Sequence, residues 1–437
     1  MSEGSLEAPT RHQIPWRQAD FVDPGKIDAE LRRVFDICHG CRRCFNLCDS
    51  FPRLFNLIDE SKSGELDSVE STDFKPVMDA CTLCDMCFMT KCPYVPPHEF
   101  DLDFPHLMLR YRAMEFKQGK VKFAHRQLTE IDRNGKLAGL VAPLANWATK
   151  RSNTLTRPLL EKTAGIHQDA GLPNFNRSPF EKKQPKKPKE TPATLNNSGR
   201  KAALYATCFV NYNNQGIGEA TRAILAKNGV ATEIVYPSCC GMPQLEQGDL
   251  ARVAKNAKKV SAELVQWINL GYDIVALVPS CTFMLKFEWP LIVPDDENIQ
   301  RLSKATFDTT EYIVDMAKKE GLAEGLSKLE GPVSLHLACH ARAQNMGPKA
   351  AEMLRLIPDT EIDVIERCSG HGGSWGVMKD NFEVALKVGR PTARKALESG
   401  AKYIVSECPL AREHILQGIE KLDEENAPKN VYSVQHP

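Results

Sequence analysis

Eight cysteines between positions 38 and 92 stand at intervals that few chemistries use. Cys38, Cys41, Cys44 and Cys48 have the spacing C-x2-C-x2-C-x3-C, and Cys81, Cys84, Cys87 and Cys92 have C-x2-C-x2-C-x4-C followed by Pro93. Two-residue spacers let one loop wrap three iron atoms of a [4Fe-4S] cubane, while a more distant cysteine closes the fourth corner. In two-cluster proteins of this kind that last cysteine serves the neighbouring cluster. The expected grouping is therefore Cys38, Cys41, Cys44 and Cys92 around one cubane, and Cys81, Cys84, Cys87 and Cys48 around the other. The extra residue before Cys92 should bulge its loop without removing a ligand. A four-thiolate zinc site also uses C-x2-C pairs, but a third cysteine at the same step is redundant for zinc. His39, Arg42 and Arg43 are exposed loop residues in this reading, free to tune a potential or dock a donor, or simply solvated.

Seven more cysteines lie in the second half, where the sequence changes character. From Lys201 apolar runs of strand length alternate with amphipathic helices, the pattern of βα units on a parallel sheet. Expected strands are 202–207, 232–236 and 273–278, with helices near 217–227 and 250–270. The series recurs as strands 333–337, 362–366 and 402–406, with helices near 349–356 and 381–397. The cysteines keep the register of this repeat: Cys208 answers to Cys339, and Cys239-Cys240-Gly241 to Cys368-Ser369-Gly370. The stretch Val278-Pro279-Ser280-Cys281 answers to Cys408-Pro409-Leu410-Ala411. Each cysteine follows a strand, at the sheet edge where ligands gather in open α/β folds. Buried free cysteines are common in cores, so the gathering carries the argument and not any single thiol. A metal or cluster is expected on Cys208, Cys239, Cys240 and Cys281, and a weaker site on Cys339, Cys368 and Cys408. His336 and His340 lie near the latter, and His371, in the turn GHGGSWG, is the candidate fourth ligand or proton donor. That turn lacks the strand–G-x-G-x-x-G–helix context of a dinucleotide site.

The elements that position these residues are bounded by the whole chain. Its 437 residues suggest several domains, and 42% hydrophobic with 26% charged residues is ordinary for a globular protein. Lys+Arg and Asp+Glu both number 56, so no net field favours nucleic acid. The start lacks the basic and apolar stretches of a signal peptide, and no apolar run approaches the length of a membrane span. Fifteen cysteines, odd in number and without a secretion signal, point to metal sites in a reducing compartment rather than disulfides. The expected location is cytoplasmic or peripheral on the inner face of the cell membrane, with any membrane contact through the helical segment 128–165 or a partner. Residues 1–25 read as a polar lead-in, a short helix over 28–37 leads into Cys38, and a helix is expected over 107–118. Between 128 and 172 the pattern is helical, broken by Pro143 and Pro158, and 173–200 has the composition of a solvated linker.

Paired cubane motifs followed by two CCG-type repeats resemble the C subunit of anaerobic glycerol-3-phosphate dehydrogenase and the iron–sulfur subunits of heterodisulfide reductase-type, glycolate and lactate oxidase complexes. The segment LLEKTAGIHQDAGLPNF is similar to the family's connector. The resemblance implies an α+β multi-domain fold: a mainly helical two-[4Fe-4S] ferredoxin-like domain (1–125), a helical connector and linker (126–200), and two α/β CCG lobes (201–325 and 326–437). It implies an electron-transfer subunit of an oxidoreductase rather than an enzyme alone, relaying electrons between a flavoprotein dehydrogenase and a quinone or other acceptor. The family's intact repeat reads C…CCG…C-P-x-C. Here Val278, Ser369 and Ala411 replace cysteines of that pattern, which argues against a five-cysteine noncubane pair and is similar to iron–sulfur proteins associated with rubrerythrin-like peroxidases. The other readings are a self-contained reductase acting at the C-terminal cysteines on a disulfide or a peroxide-linked partner, and a zinc-stabilised scaffold.

Overall fold

The computed structural model describes residues 5, 7–183, 199–426 and 434–437. Most of the expected linker, 184–198, lies outside the described residues.

The N-terminal domain is built from helices and turns, with no strand among its described residues. Its first long helix, Pro24–Cys41, begins where the Asp23 side chain accepts from the Lys26 N–H at 2.8 Å. Ile27, Leu31, Val34 and Phe35 form its buried stripe. The helix does not stop before the first cysteine, as the sequence suggested. Nothing in 38–41 breaks it, and it runs through Cys38 and Cys41 until Arg42 turns left-handed at φ 53°. Phe35 meets Phe74 edge-on at 5.1 Å and Phe104 at 6.1 Å. Phe104 opens helix Phe104–Lys117, which starts three residues earlier than expected because Asp103 caps it, accepting from His106 N at 3.1 Å.

The second half forms two four-stranded parallel sheets of identical topology. Strands β1 (Lys201–Tyr205), β2 (Ala231–Val235), β3 (Asp273–Ala276) and β4 (Thr306–Asp308) stand in the order β2-β1-β3-β4. Strands β5 (Val333–His336), β6 (Ile362–Ile365), β7 (Tyr403–Ser406) and β8 (Val434–Gln435) repeat it as β6-β5-β7-β8. Tyr205 is in register with Val235 and Ala276, and His336 with Ile365 and Ser406. All six cysteine-bearing loops therefore leave the carboxyl edge of a sheet. The sequence missed β4 and β8, whose three and two residues are too short to show a period.

The hydrophobic core is continuous from the N-terminal domain into the first lobe, while the second lobe has smaller clusters of its own. The lead-in, expected to be merely polar, is a strap across this junction. Ile14 N–H donates to the Leu291 carbonyl at 2.9 Å and Trp16 Nε1 to that of Ile292 at 2.8 Å. Arg11, 10% exposed, pairs with Asp85 at 2.5 Å, Asp103 at 2.9 Å and Glu288 at 3.1 Å.

In the connector Pro143 and Pro158 sit near the starts of helices Ala142–Thr149 and Thr156–Ala164, where a missing N–H costs nothing. The buried Arg157 donates to the carbonyls of Thr149, His167, Gln168 and Ala170. Residues 173–183 are not the solvated tether their composition suggested. Asn176 N–H donates to Tyr212 O at 2.8 Å, and Phe180 is buried against Gly218.

Candidate metal centres

Cys38, Cys41, Cys44 and Cys92 line one pocket, partly open to solvent, together with Ile37, Phe51, Phe55 and Tyr94. The first three come from the end of helix Pro24–Cys41 and the turn after it. Cys92 arrives from the second motif, at the end of a π-turn, Cys87–Lys91, in which Cys92 N–H donates to Cys87 O at 2.8 Å. That wider turn absorbs the extra residue of the second motif. Burial, reinforced by the neighbouring thiols, pushes Cys38 well up, Cys44 to about 12 and Cys92 to about 11. Left empty, such a group stays protonated; a positively charged metal core is what holds buried thiols as thiolates. The donor set fits a metal–sulfur centre.

The second group is Cys48, Cys81, Cys84 and Cys87, of which Cys81 and Cys87 are buried. Leu83 and Asp85, on either side of Cys84, both have positive φ, 50° and 62°. Such backbone is costly without glycine and is held where surrounding packing demands it. Burial raises Cys48 well above its ordinary value, with the charges of Cys84 and Cys81 adding to it. Burial also pushes Cys84 to about 12, and there the next contribution is Cys368 of the second lobe.

In the first lobe Cys208, Cys239, Cys240 and Cys281 form a connected set, with Cys240 Sγ and Cys281 Sγ 3.3 Å apart. Thr207 precedes Cys208 at φ 56°, and Gly241 follows the vicinal pair at φ 90°. Asp132 of the connector fixes this loop, accepting from Tyr236 Oη at 2.5 Å, Ser238 Oγ at 2.9 Å and Cys239 N at 3.0 Å. Trp289 Nε1 donates to the Cys240 carbonyl at 3.0 Å.

In the second lobe burial pushes Cys339 well up, with Cys84, Cys408 and Cys368 adding to it, and burial raises Cys408, with Cys281 adding. Cys368 is exposed. The three histidines separate. His336 uses both ring nitrogens, on Ser406 Oγ and Arg367 O, each at 3.0 Å. His340 does the same on Ser280 Oγ at 2.9 Å and Leu83 O at 3.2 Å, stacked on Phe283. His371 accepts from Gly373 N at Nε2, 3.2 Å, and burial holds it neutral, down to about 3. The turn around it is compressed: a Cβ on Gly372 would lie 2.5 Å from Thr82, and one on Gly373 2.1 Å from the Glu246 carboxylate. Thr82 belongs to the second cysteine motif and Glu246 to the first lobe, so this turn sits where all three domains meet.

Among the described residues no three His, Cys, Asp or Glu side chains close around a point as for one metal ion.

Asp132, Glu246 and Arg11 escaped the sequence reading because each acts from another domain, at a separation no motif spans. His39 and Arg42 both bond Asp59 on the surface.

The doubled lobe with cysteines at its sheet edges defines a class. Residues 202–286 and 333–411 each match the model of the cysteine-rich domain family CCG. The relatives narrow this further. The chain is 26% identical over 287 residues to the C subunit of anaerobic glycerol-3-phosphate dehydrogenase from Escherichia coli K12, covering 64% of this chain and 69% of the relative. It is 29% identical over 188 residues to lactate utilization protein A of Bacillus licheniformis, covering 40% and 75%. An uncharacterized iron-sulfur protein of Methanococcus maripaludis is 26% identical over 242 residues, covering 54% and 45%.

Proposed function

We propose that this chain is the iron–sulfur electron-transfer subunit of an oxidoreductase, passing single electrons between a flavoprotein dehydrogenase and a quinone or other acceptor. The observation that carries the reading is the crossed grouping of the N-terminal thiols, four of them from both motifs around one cavity. Two [4Fe-4S] clusters would be held by Cys38, Cys41, Cys44 and Cys92, and by Cys81, Cys84, Cys87 and Cys48. Cys208, Cys239, Cys240 and Cys281 would hold a third centre, and Cys339, Cys368, Cys408 and His371 a fourth. Bound clusters supply one-electron redox chemistry; the chain's part is to bury them, fix their thiolates and set them in sequence.

That sequence is supported by which thiols bear on which. Cys44 adds to the rise at Cys87, Cys368 to that at Cys84, Cys84 to that at Cys339, and Cys281 to that at Cys408. His340 ties the second motif to the first lobe through Leu83 O and Ser280 Oγ. A second reading, a reductase acting at the second lobe, is favoured by the exposure of Cys368, which opens that site to a substrate.

Iron analysis of anaerobically purified protein separates the possibilities: about eight irons for two cubanes, about twelve with a third. Cys92→Ser should abolish the same electron paramagnetic resonance signal as Cys41→Ser. Loss of the signal that Cys84→Ser abolishes would refute the crossed assignment.

A further inference from the structure

The turn that carries the vicinal cysteines is held by a carboxylate from outside its lobe. Asp132 lies in the first turn of helix Ile131–Leu140, the end at which the helix dipole favours a negative charge. Its two oxygens accept from Tyr236 Oη at 2.5 Å, Ser238 Oγ at 2.9 Å and Cys239 N–H at 3.0 Å. The segment around it is clasped to the first lobe at further points. Gln244 Nε2 donates to Thr129 O at 2.6 Å, and Glu130 pairs with Arg252 at 3.2 Å. Gly135 packs so closely that a Cβ there would lie 2.5 Å from the Tyr212 ring. The charge is therefore delivered to one place and kept there.

Holding such a turn does not by itself require a charge. Tyr205 and His336 end the equivalent strands β1 and β5. Tyr205 Oη donates to Ser238 O at 2.7 Å in the first lobe, and His336 Nε2 bonds Arg367 O at 3.0 Å in the second. The second lobe then closes its turn with a neutral group, Thr392 Oγ1 donating to Cys368 O at 2.7 Å. What the first lobe adds is an anion beside its thiols. The Cys208 thiol is held well up by its hydrogen bond with Cys239 and by burial, and the Asp132 charge adds to that rise. A negative charge near a redox centre opposes the arrival of an electron. The Cys239 N–H and the Ser238 hydroxyl are also spent on Asp132, whereas donors aimed at sulfur stabilise the reduced state of a cluster.

We infer that Asp132 sets the reduction potential of the first-lobe centre, holding it lower than the four thiolates alone would. Asp132 has this role only if Cys208, Cys239, Cys240 and Cys281 hold a third centre, as proposed above. It acts on the centre through the Cys239 turn and through its charge, and is a positioning residue rather than a ligand.

The test is a redox titration of the full-length chain, purified anaerobically, following the electron paramagnetic resonance signal that Cys240→Ser abolishes. Asp132→Asn keeps the size of the side chain and an accepting oxygen but removes the charge. It should make one-electron reduction of that centre at least about tenfold more favourable, a midpoint about 59 mV higher. The other signals and the circular dichroism should stay as in wild type. Asp132→Glu should return the midpoint toward wild type, and Tyr236→Phe, which keeps the carboxylate, should not raise it. A wild type with no signal that depends on Cys240 has no third centre, and the role of Asp132 falls with it. A signal that is present in wild type, but is unmoved or lost in Asp132→Asn, overturns the role of Asp132 alone. So does a Tyr236→Phe midpoint raised as far as that of Asp132→Asn, because the carboxylate would then only hold the turn.

Discussion

Replacing Arg11 with methionine asks whether the N-terminal strap is clamped by charge. The guanidinium reaches Asp85, Asp103 and Glu288, and lies 4.3 Å over the Phe88 ring. The side chains of Asp85 and Glu288 are only 4% and 2% exposed. Methionine still covers Phe88, so what the variant removes is the cation. Breaking a buried pair by removing one partner costs about 3–5 kcal/mol. Carboxylates escape part of that by taking up a proton, which sets the lower end, about 3 kcal/mol, as the working figure. The readout is amide exchange at Ile14, whose N–H donates across the junction to Leu291 O. Each 1.4 kcal/mol is a factor of ten, so protection there should fall about 150-fold. Exchange at the centre of β1 should stay as in wild type, since the strap can open without unfolding the sheet. A loss of protection under about threefold would refute the clamp and leave Arg11 as packing alone.

Two further outcomes concern the second lobe's glycine turn and the first-lobe carboxylate packed against it. Gly370 has φ +78° and a Cβ there would lie 2.0 Å from Ala385 O, so Gly370→Ala should destabilise this lobe by at least about 2 kcal/mol. An unchanged thermal midpoint would show that the turn yields. Burial pushes Glu246 from its ordinary 4.5 up to about 7, opposed by Arg112 and the Ser374 N–H. Between those values the folded chain holds a proton that the unfolded chain has released, so Glu246 lowers stability as pH rises through that range. Glu246→Gln should therefore raise the unfolding free energy from denaturant titration at pH 8 by up to about 3 kcal/mol, with the gap closing toward pH 5. A gain that is larger at pH 5 would contradict this.

The strands were legible because a parallel sheet buried on both faces writes itself as short apolar runs. Each expected strand begins within one residue of where it stands, Lys402 for instance directly preceding β7 at Tyr403. The cysteine repeat was legible because it is spaced along the chain in step with those strands. What stayed hidden was whatever crosses between domains. Arg11 has no local partner to betray it, and Asp132 lies more than a hundred residues from the loop it holds. Phe180 looked like linker because its neighbours are lysine and proline, although its own side chain is buried.

The strap also orders events in time. Arg11 and Glu288 are 277 residues apart in the chain, and synthesis proceeds at about 5–20 residues per second. For roughly 14 to 55 s after Arg11 is made, its partner in the first lobe does not exist. From Cys92 to Glu288 is 196 residues, so for roughly 10 to 39 s of it all eight N-terminal cysteines are polymerised but cannot be sealed from this side. The clamp is thus a built-in delay, holding the domain open to cofactor delivery until the rest of the protein has arrived to close it.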